Sequence, residues 1–375
     1  MSLRFQVTDL NAIETRVGAW LAQCTDLMNV FVPVLELGRK GRNGKDPYLA
    51  FATKMYGTTY EALWADYSGI NGPERKADAK RKRQVAKPGV LGAIYRLSGG
   101  ALVKAHTDEC IKAKNARDYV KGTPCDCPMV KTGLWAYADN MGVDMSMEQA
   151  HQVVEIFRNS YPEICSMKNN PECGEYPGIW KKLELAVADV MNPDRPATVR
   201  YIGPGNCVKI DRVNIGHTNN DGVWVESRKP IMRMQLPSGR CLHYLDARLE
   251  STMMPWKGED EDGNEIDIYR DSLIYAGTNQ KTKQWDVWVS THGGKLFENL
   301  VQGIARDVLA CKLLDFEDAE LPIVGHVHDE GIALVEDDIL SPTVLDMEKI
   351  MTTPIDWAPG LLLGADGYED SYYHK

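Results

Sequence analysis

The string His326-Val327-His328-Asp329-Glu330 sets two carboxylates side by side between two short apolar runs. Leu321-Pro322-Ile323-Val324 precedes it and Gly331-Ile332-Ala333-Leu334-Val335 follows it. Runs of this length predict two β-strands, joined by a tight connection that holds Asp329 and Glu330 exposed. Adjacent carboxylates repel each other unless a cation or a basic partner compensates them. A second acidic residue has a similar setting near the other end: in Arg4-Phe5-Gln6-Val7-Thr8-Asp9-Leu10 an alternating strand runs into Asp9. Two strand-borne aspartates 320 positions apart can converge on a divalent metal. The third chemical feature is Arg75-Lys76-Ala77-Asp78-Ala79-Lys80-Arg81-Lys82-Arg83-Gln84-Val85-Ala86-Lys87. In an acidic protein it is either a field directed at phosphate or a solvated helix face, and charge alone favours neither.

The elements that must position these groups can be read from periodicity. After Asp9, residues 12–24 carry Ile13, Val17, Trp20 and Leu21 at helical spacing, so strand gives way to helix. Residues 46–66 predict helix interrupted near Gly57, and 75–95 predict a basic helix. Pro88-Gly89 is expected to kink or restart that helix, because proline has no amide donor. Residues 134–170 again read as helix. Between 197 and 290 turn residues multiply, with β-prone runs at 197–202, 231–236 and 285–290 and a polar, acidic loop at 258–265. A last long helix is expected from near Gly294 to Leu314, with Leu296, Leu300, Ile304 and Val308 on one side. No internal repeat stands out. Helix-rich and strand-rich stretches are segregated, which favours an α+β fold.

At 375 residues the chain can build a large core and more than one structural unit. It is 43% hydrophobic and 26% charged, and no run of about eighteen apolar residues points to a membrane span. The start MSLRFQVTDL lacks the apolar core of a secretory signal, and nine scattered cysteines do not read as a disulfide scaffold. A reduced, cytoplasmic setting follows as the expectation. The net charge of −10 opposes nonspecific nucleic-acid binding on average, leaving any such binding to local patches.

Asp9-Leu10-Asn11-Ala12-Ile13-Glu14-Thr15-Arg16 resembles the first active-site motif of family A DNA polymerases: a carboxylate leaving a strand, then Glu and Arg at set distances. Arg83, Lys87, Leu91 and Tyr95 repeat the four-residue spacing of that family's second motif on one helix. Four residues rise about 6 Å along a helix, so such side chains form one slowly turning row. His328-Asp329-Glu330 matches the third motif. Gly44-Lys45-Asp46-Pro47-Tyr48 and Lys54-Met55-Tyr56-Gly57 resemble the family's early fingers region. Leu236-Pro237-Ser238-Gly239-Arg240, and Thr291 to Leu296 with Gln302 to Asp307, resemble its bacteriophage members.

The resemblance implies a right-hand polymerase: an antiparallel palm sheet, mainly helical fingers and a strand-rich insertion, without thumb or exonuclease. It divides the chain into palm (1–30), fingers (31–196), a strand-rich segment (197–293) and palm again (294–375). By the same resemblance Asp9 and Asp329, with the Leu10 carbonyl, hold two Mg²⁺ ions, and Glu330 is either metal support or a solvated carboxylate. Arg83 and Lys87 bind the triphosphate, and Lys87 is the proton donor to pyrophosphate, since lysine can release a proton where arginine cannot. Leu91 lies against the sugar, Glu14 crowds its 2′ position, and Tyr95 guards the template base. Arg16, Gln302 and His328 contact or support the primer–template end. The implied function is dNMP transfer to a primer 3′-hydroxyl, with primer–template DNA and dNTPs as partners, in the host cytoplasm if phage-encoded. Because the first motif begins nine residues in, the chain is expected to be the catalytic part of a split or truncated polymerase, with a second polypeptide supplying thumb, exonuclease or both. A replication subunit inactive without a partner and a single-subunit RNA polymerase are the alternatives.

Several positions depart from the family pattern. Leu91 stands where a phenylalanine or tyrosine is common, Tyr48 where a histidine contacts phosphate, and His326 where many relatives have glutamine. Cys125-Asp126-Cys127, with Cys110, Cys165 and Cys173 at irregular distances, lacks the usual zinc-ligand pair, so free thiols are the expectation.

Overall fold

A computed structural model describes residues 3–106, 110, 125–195, 198–214, 216–218, 221–226, 229–259, 264–278, 283–338 and 340–374. Two compact units emerge: Met1–Lys45 with Tyr161–Lys375, and Asp46–Ser160. The first unit opens with β1 (Leu3–Leu10), α1 (Ile13–Ala22) and α2 (Thr25–Asn29). The second holds α3 (Pro47–Tyr56), α4 (Tyr60–Ser68), α5 (Pro73–Ala93), β2 (Leu102–Lys104), β3 (Met129–Lys131), α6 (Gly133–Asn140) and α7 (Met147–Ser160). Back in the first unit come α8 (Ile179–Val190), β4 (Val199–Ile202), β5 (Val208–Val213), β6 (Gly216–Thr218), β7 (Trp224–Glu226) and β8 (Ile231–Gln235). There follow β9 (Cys241–Glu259), β10 (Glu265–Thr278), β11 (Trp285–Thr291) and α9 (Gly293–Asp318). The last are β12 (Ile323–Val327), β13 (Glu330–Glu336), α10 (Val344–Met351) and β14 (Ala365–Asp370). Helices and antiparallel sheets mix as the segregated sequence texture predicts.

In the first unit, four antiparallel strands run in the order β12-β13-β1-β14. Strand β1 is central and covered on both faces at Gln6, Val7 and Thr8, so its simple alternation is lost where it is deepest. A second sheet has the order β11-β10-β9-β8-β5-β4. The acidic loop expected at 258–265 is shorter than that: β9 runs to Glu259 and β10 starts at Glu265, and residues 260–263 lie outside the described residues. Met253, Ile266 and Tyr269 are exposed at this end of the ribbon, where β9 and β10 pair with each other. The first run of the 197–202 stretch is strand from Val199; residue 197 lies outside the described residues.

Helix α9 buries Leu296, Leu300, Ile304 and Val308 as their spacing predicts, and packs on α1 and α8. Gly293 at its start is required: a Cβ there would stand 2.1 Å from the Trp180 carbonyl oxygen. None of the described helices is long and apolar enough to cross a membrane.

In the second unit, Asp46 caps α3 by accepting from the Tyr48 and Leu49 amides, with Pro47 in the first turn. Gly57, in the left-handed region, ends it. Helix α5 continues through Pro88, so the expected restart does not occur. Pro88, Gly89, Val90, Gly92 and Ala93 are all buried, and a Cβ on Gly89 would meet Val153 Cγ1 at 2.5 Å. Close packing of this half offsets the missing amide. The helix expected over 134–170 is broken: α6 ends at Asn140, Ser146 and Gln149 form a reciprocal cap that starts α7 afresh, and a separate four-residue helix, Pro162–Cys165, follows in the first unit.

Candidate active site

Strands β12 and β13 form the expected hairpin, with Val327 opposite Glu330 and only His328-Asp329 between them. His328 takes a left-handed conformation (φ 54°), as does Ala12 (φ 50°) at the entry to α1. Non-glycine residues adopt this region at a cost and collect where side chains must be aimed. Along β1, Asp9 pairs with Glu330 on one side and with Asp366 on the other. The Leu10 amide donates to the Asp329 carbonyl oxygen at 3.1 Å. The two aspartates read from the sequence therefore stand on neighbouring strand ends tied by a backbone hydrogen bond, each half-buried. The Leu10 side chain is buried beneath them.

Beside the hairpin lies a cleft of about 400 Å³ lined by Glu14, Gln302, Arg306, His328 and Asp329, with Ile13 and Ala305 as its apolar wall. Gln302 Nε2 donates to Glu14 Oε1 at 2.6 Å, joining α9 to α1 across it. Two carboxylates, Glu14 and Asp329, share this cleft with the Arg306 guanidinium, which suits a polyanion that arrives with metal counter-charge. Arg306 is an exposed member that its charge alone did not single out from the other arginines. One position on, Asp307 accepts from Arg240 Nε (2.7 Å) and Ser238 Oγ (2.5 Å), while Arg240 Nη2 donates to the Gly303 carbonyl oxygen at 2.9 Å. The Leu236–Arg240 turn and the Gln302–Asp307 stretch, singled out separately in the sequence, thus grip each other.

Two of the charged residues expected in the site are buried. Arg16, expected to contact or support the primer–template end, is 2% exposed. Its guanidinium donates to the carbonyl oxygens of Asn11 (2.7 Å), Leu362 (3.0 Å) and Asn43 (2.6 Å) and lies over the Phe31 ring. Burial pulls its pKa down to about 10, with Asp366 opposing. These bonds tie Asn11, at the end of β1, to the segments at residues 43 and 362. Glu330 is 8% exposed and accepts from the Tyr373 hydroxyl at 2.9 Å, so the solvated alternative fails. Tyr373 as its partner was not legible, lying 43 positions on.

In the second unit, Arg83 donates through Nε (2.9 Å) and Nη2 (2.8 Å) to Asp46 Oδ2, and its guanidinium lies 4.9 Å from the Tyr48 ring. Burial would lower the Arg83 pKa, but Asp46 outweighs it and the net direction is upward. Lys87 Nζ stands 5.8 Å from the same ring. Tyr48, in the place of a polar phosphate contact, is thus the platform under both cations. Leu91 is on α5, whereas Tyr95 lies just past its end, in a turn whose amide bonds the Gly92 carbonyl at 3.2 Å.

Over 372 residues, 99% of its length, the chain is 40% identical to a DNA polymerase of Bacillus phage SP02. The resemblance to a phage DNA polymerase holds along the whole chain. The chain spans 41% of that relative's length. No family model matches it. Among solved structures it matches the polymerase domain of Pol1 from M. smegmatis, in complex with primer–template DNA and dNTP. That match has a TM-score of 0.40 at 12% identity and covers 98% of this chain and 39% of the other. Of the polymerase-motif residues, the first unit gathers Asp9, Leu10, Glu14, Gln302, His328, Asp329 and Glu330 around one hairpin, while Arg83, Lys87, Leu91 and Tyr95 follow one another in the second.

Proposed function

We propose that this chain carries the nucleotidyl-transfer site of a template-directed, family A-type DNA polymerase. The observation that carries the reading is the register of Asp9 beside the Asp329 turn, in a chain 40% identical to a phage DNA polymerase. The first unit is read as palm with the strand-rich segment, and the second as fingers. A pair of half-buried carboxylates fits Mg²⁺, which takes one or two protein carboxylates and completes its shell with water and substrate phosphates. Two Mg²⁺ ions held by Asp9, Asp329 and the Leu10 carbonyl would supply acidification of the primer hydroxyl and neutralisation of the triphosphate.

The chain's own residues do the rest. Arg83 holds the triphosphate through the N–H groups that Asp46 leaves open, and Lys87 holds it and passes a proton to the departing pyrophosphate. Leu91 packs on the sugar, and Tyr95 guards the templating base. Glu14, fixed by Gln302, crowds the 2′ position and selects deoxynucleotides. Gln302 and His328 face the primer end, with Arg306 beside them. A second polypeptide that helps to grip the duplex belongs to the same reading, since DNA affinity rests on many phosphate contacts.

The test is primer extension with dNTPs or rNTPs and Mg²⁺, with and without candidate partner polypeptide, for wild type and Asp329→Asn. Extension with dNTPs by wild type and its loss in the variant are expected. Full extension by Asp329→Asn overturns the assignment, and a preference for rNTPs overturns the role of Glu14.

A further inference from the structure

We propose that His106, Cys110, Cys125 and Cys127 bind one structural zinc ion, which clasps the open end of the β2–β3 ribbon in the second unit. Their ligand atoms all lie within 4.8 Å of one another. His106 Nδ1 stands 3.4 Å from both Cys110 Sγ and Cys125 Sγ. In a tetrahedral site with Zn–S of about 2.3 Å and Zn–N of about 2.0 Å, neighbouring N and S ligands stand about 3.5 Å apart. The two His106–cysteine spacings already match those of a zinc shell.

The topology brings them together for a reason visible in the register. Leu102 pairs with Lys131 and Lys104 with Met129, and the Ala105 amide donates to the Pro128 carbonyl at 2.8 Å. Carrying that register two residues further sets His106 opposite Cys127. Cys110 follows His106 by four residues and Cys125 precedes Cys127 by two, so each strand end contributes a pair. The expectation of free thiols fails to consider His106 and groups Cys110 with Cys165 and Cys173, neither of which belongs to this set.

The ribbon needs such a clasp. Each strand has three residues, and Leu102, Val103, Met129 and Val130 are all exposed, so no buried face holds it. Two isolated strands are marginal at best in water, whereas a structural zinc contributes folding free energy directly. Charge points the same way. A dication held by three thiolates leaves a net charge of about −1, and Lys104 Nζ lies 3.8 Å from Cys125 Sγ while donating to the Cys125 carbonyl at 2.7 Å. A lysine so placed balances the excess negative charge of a Cys₃His zinc shell. Thiolate-rich tetrahedral sets select zinc over the hard cations that serve phosphate chemistry.

The test uses the full chain purified under reducing conditions from zinc-supplemented medium. Elemental analysis is expected to find about one zinc per chain, and cobalt(II) exchange to give the visible absorption of a tetrahedral thiolate site. Cys110→Ser and Cys127→Ser each lose the metal, whereas Cys173→Ser retains it and His106→Cys binds it still. Should the serine variants not fold, the wild type answers alone: chelation then exposes the 102–131 ribbon to protease, and added zinc restores protection. Metal-free protein in excess zinc, iron in its place, or a disulfide between Cys110 and Cys125 or Cys127 in freshly prepared protein each overturns the proposal.

Discussion

Asp46 separates two effects that one substitution would confuse. Its Oδ1 accepts from the Tyr48 and Leu49 amides and caps α3, while its Oδ2 takes both Nε and Nη2 of Arg83. Asparagine caps a helix about as well as aspartate, so Asp46→Asn keeps the cap but removes the charge that fixes the guanidinium. The pair is about three-quarters buried at both side chains (25% and 21% exposed), which places the loss near ~1 kcal/mol rather than at the exposed-pair minimum. If Arg83 holds the triphosphate, that loss appears as a rise of about fivefold in the KM for dNTP at nearly constant kcat. Asp46→Ala loses the cap as well, costing a further ~1 kcal/mol of stability and lowering Tm by several degrees. The assay is single-nucleotide incorporation across a dNTP series, with thermal melts of both variants. An unchanged KM in Asp46→Asn refutes the positioning role. A lowered KM reverses it, making Asp46 a competitor of the phosphate for Arg83.

Two other outcomes follow from buried or paired charge. Arg16→Lys keeps a cation but not the fork, leaving two of the carbonyls of Asn11, Asn43 and Leu362 without donors; unfolding melts should register a loss of about 3 kcal/mol or more, and a near-neutral result contradicts the structural role. Asp211 accepts bidentately from Arg233 on the neighbouring strand (2.9 and 2.7 Å), and that pairing, with Lys209, lowers its pKa below 3.8 against the opposing effect of burial. A carboxylate depressed on folding stabilises above its unfolded pKa and loses that contribution as pH falls through the folded value. Asp211→Asn should therefore be less stable than wild type by ~1 kcal/mol at pH 6, with the gap closing below pH 3.8; a gap that persists in acid denies the pairing its role.

What the sequence disclosed depended on the range of the interaction. The hairpin at His328-Asp329 was legible because two short apolar runs bracket it, and the α9 stripe because Leu296, Leu300, Ile304 and Val308 keep one helical face. The burial of Arg16 was not legible because its surroundings come from residues 43 and 362, and a charge on a helix is exposed by default. The passage of α5 through Pro88 depends on Gly89 lying against Val153, a contact no local pattern encodes. The restart at α7 was written locally, in Ser146 and Gln149, but the apolar periodicity across residues 134–170 obscured it. His106 escaped because its partnership with Cys127 appears only once the register of β2 and β3 is known.

The acidic pair is held by an arrangement that the motifs by themselves do not explain. Ala12 and His328, the non-glycine left-handed residues on either side of Leu10 and Asp329, each cost of order 1 kcal/mol or more. They persist because the backbone between them is anchored at both ends. The Leu10 amide holds the Asp329 carbonyl, and the Asn11 amide holds the Gly364 carbonyl. Arg16, from inside the core, holds the Asn11 carbonyl and the Leu362 carbonyl next to that strand. Gly364 must lack a side chain for this, since a Cβ there would stand 2.3 Å from Arg16 Nη2. A buried cation thus ties together the backbone that carries two half-exposed aspartates. That explains why an arginine in the first motif is compatible with a site whose chemistry needs carboxylates: its work is done on the backbone beneath them.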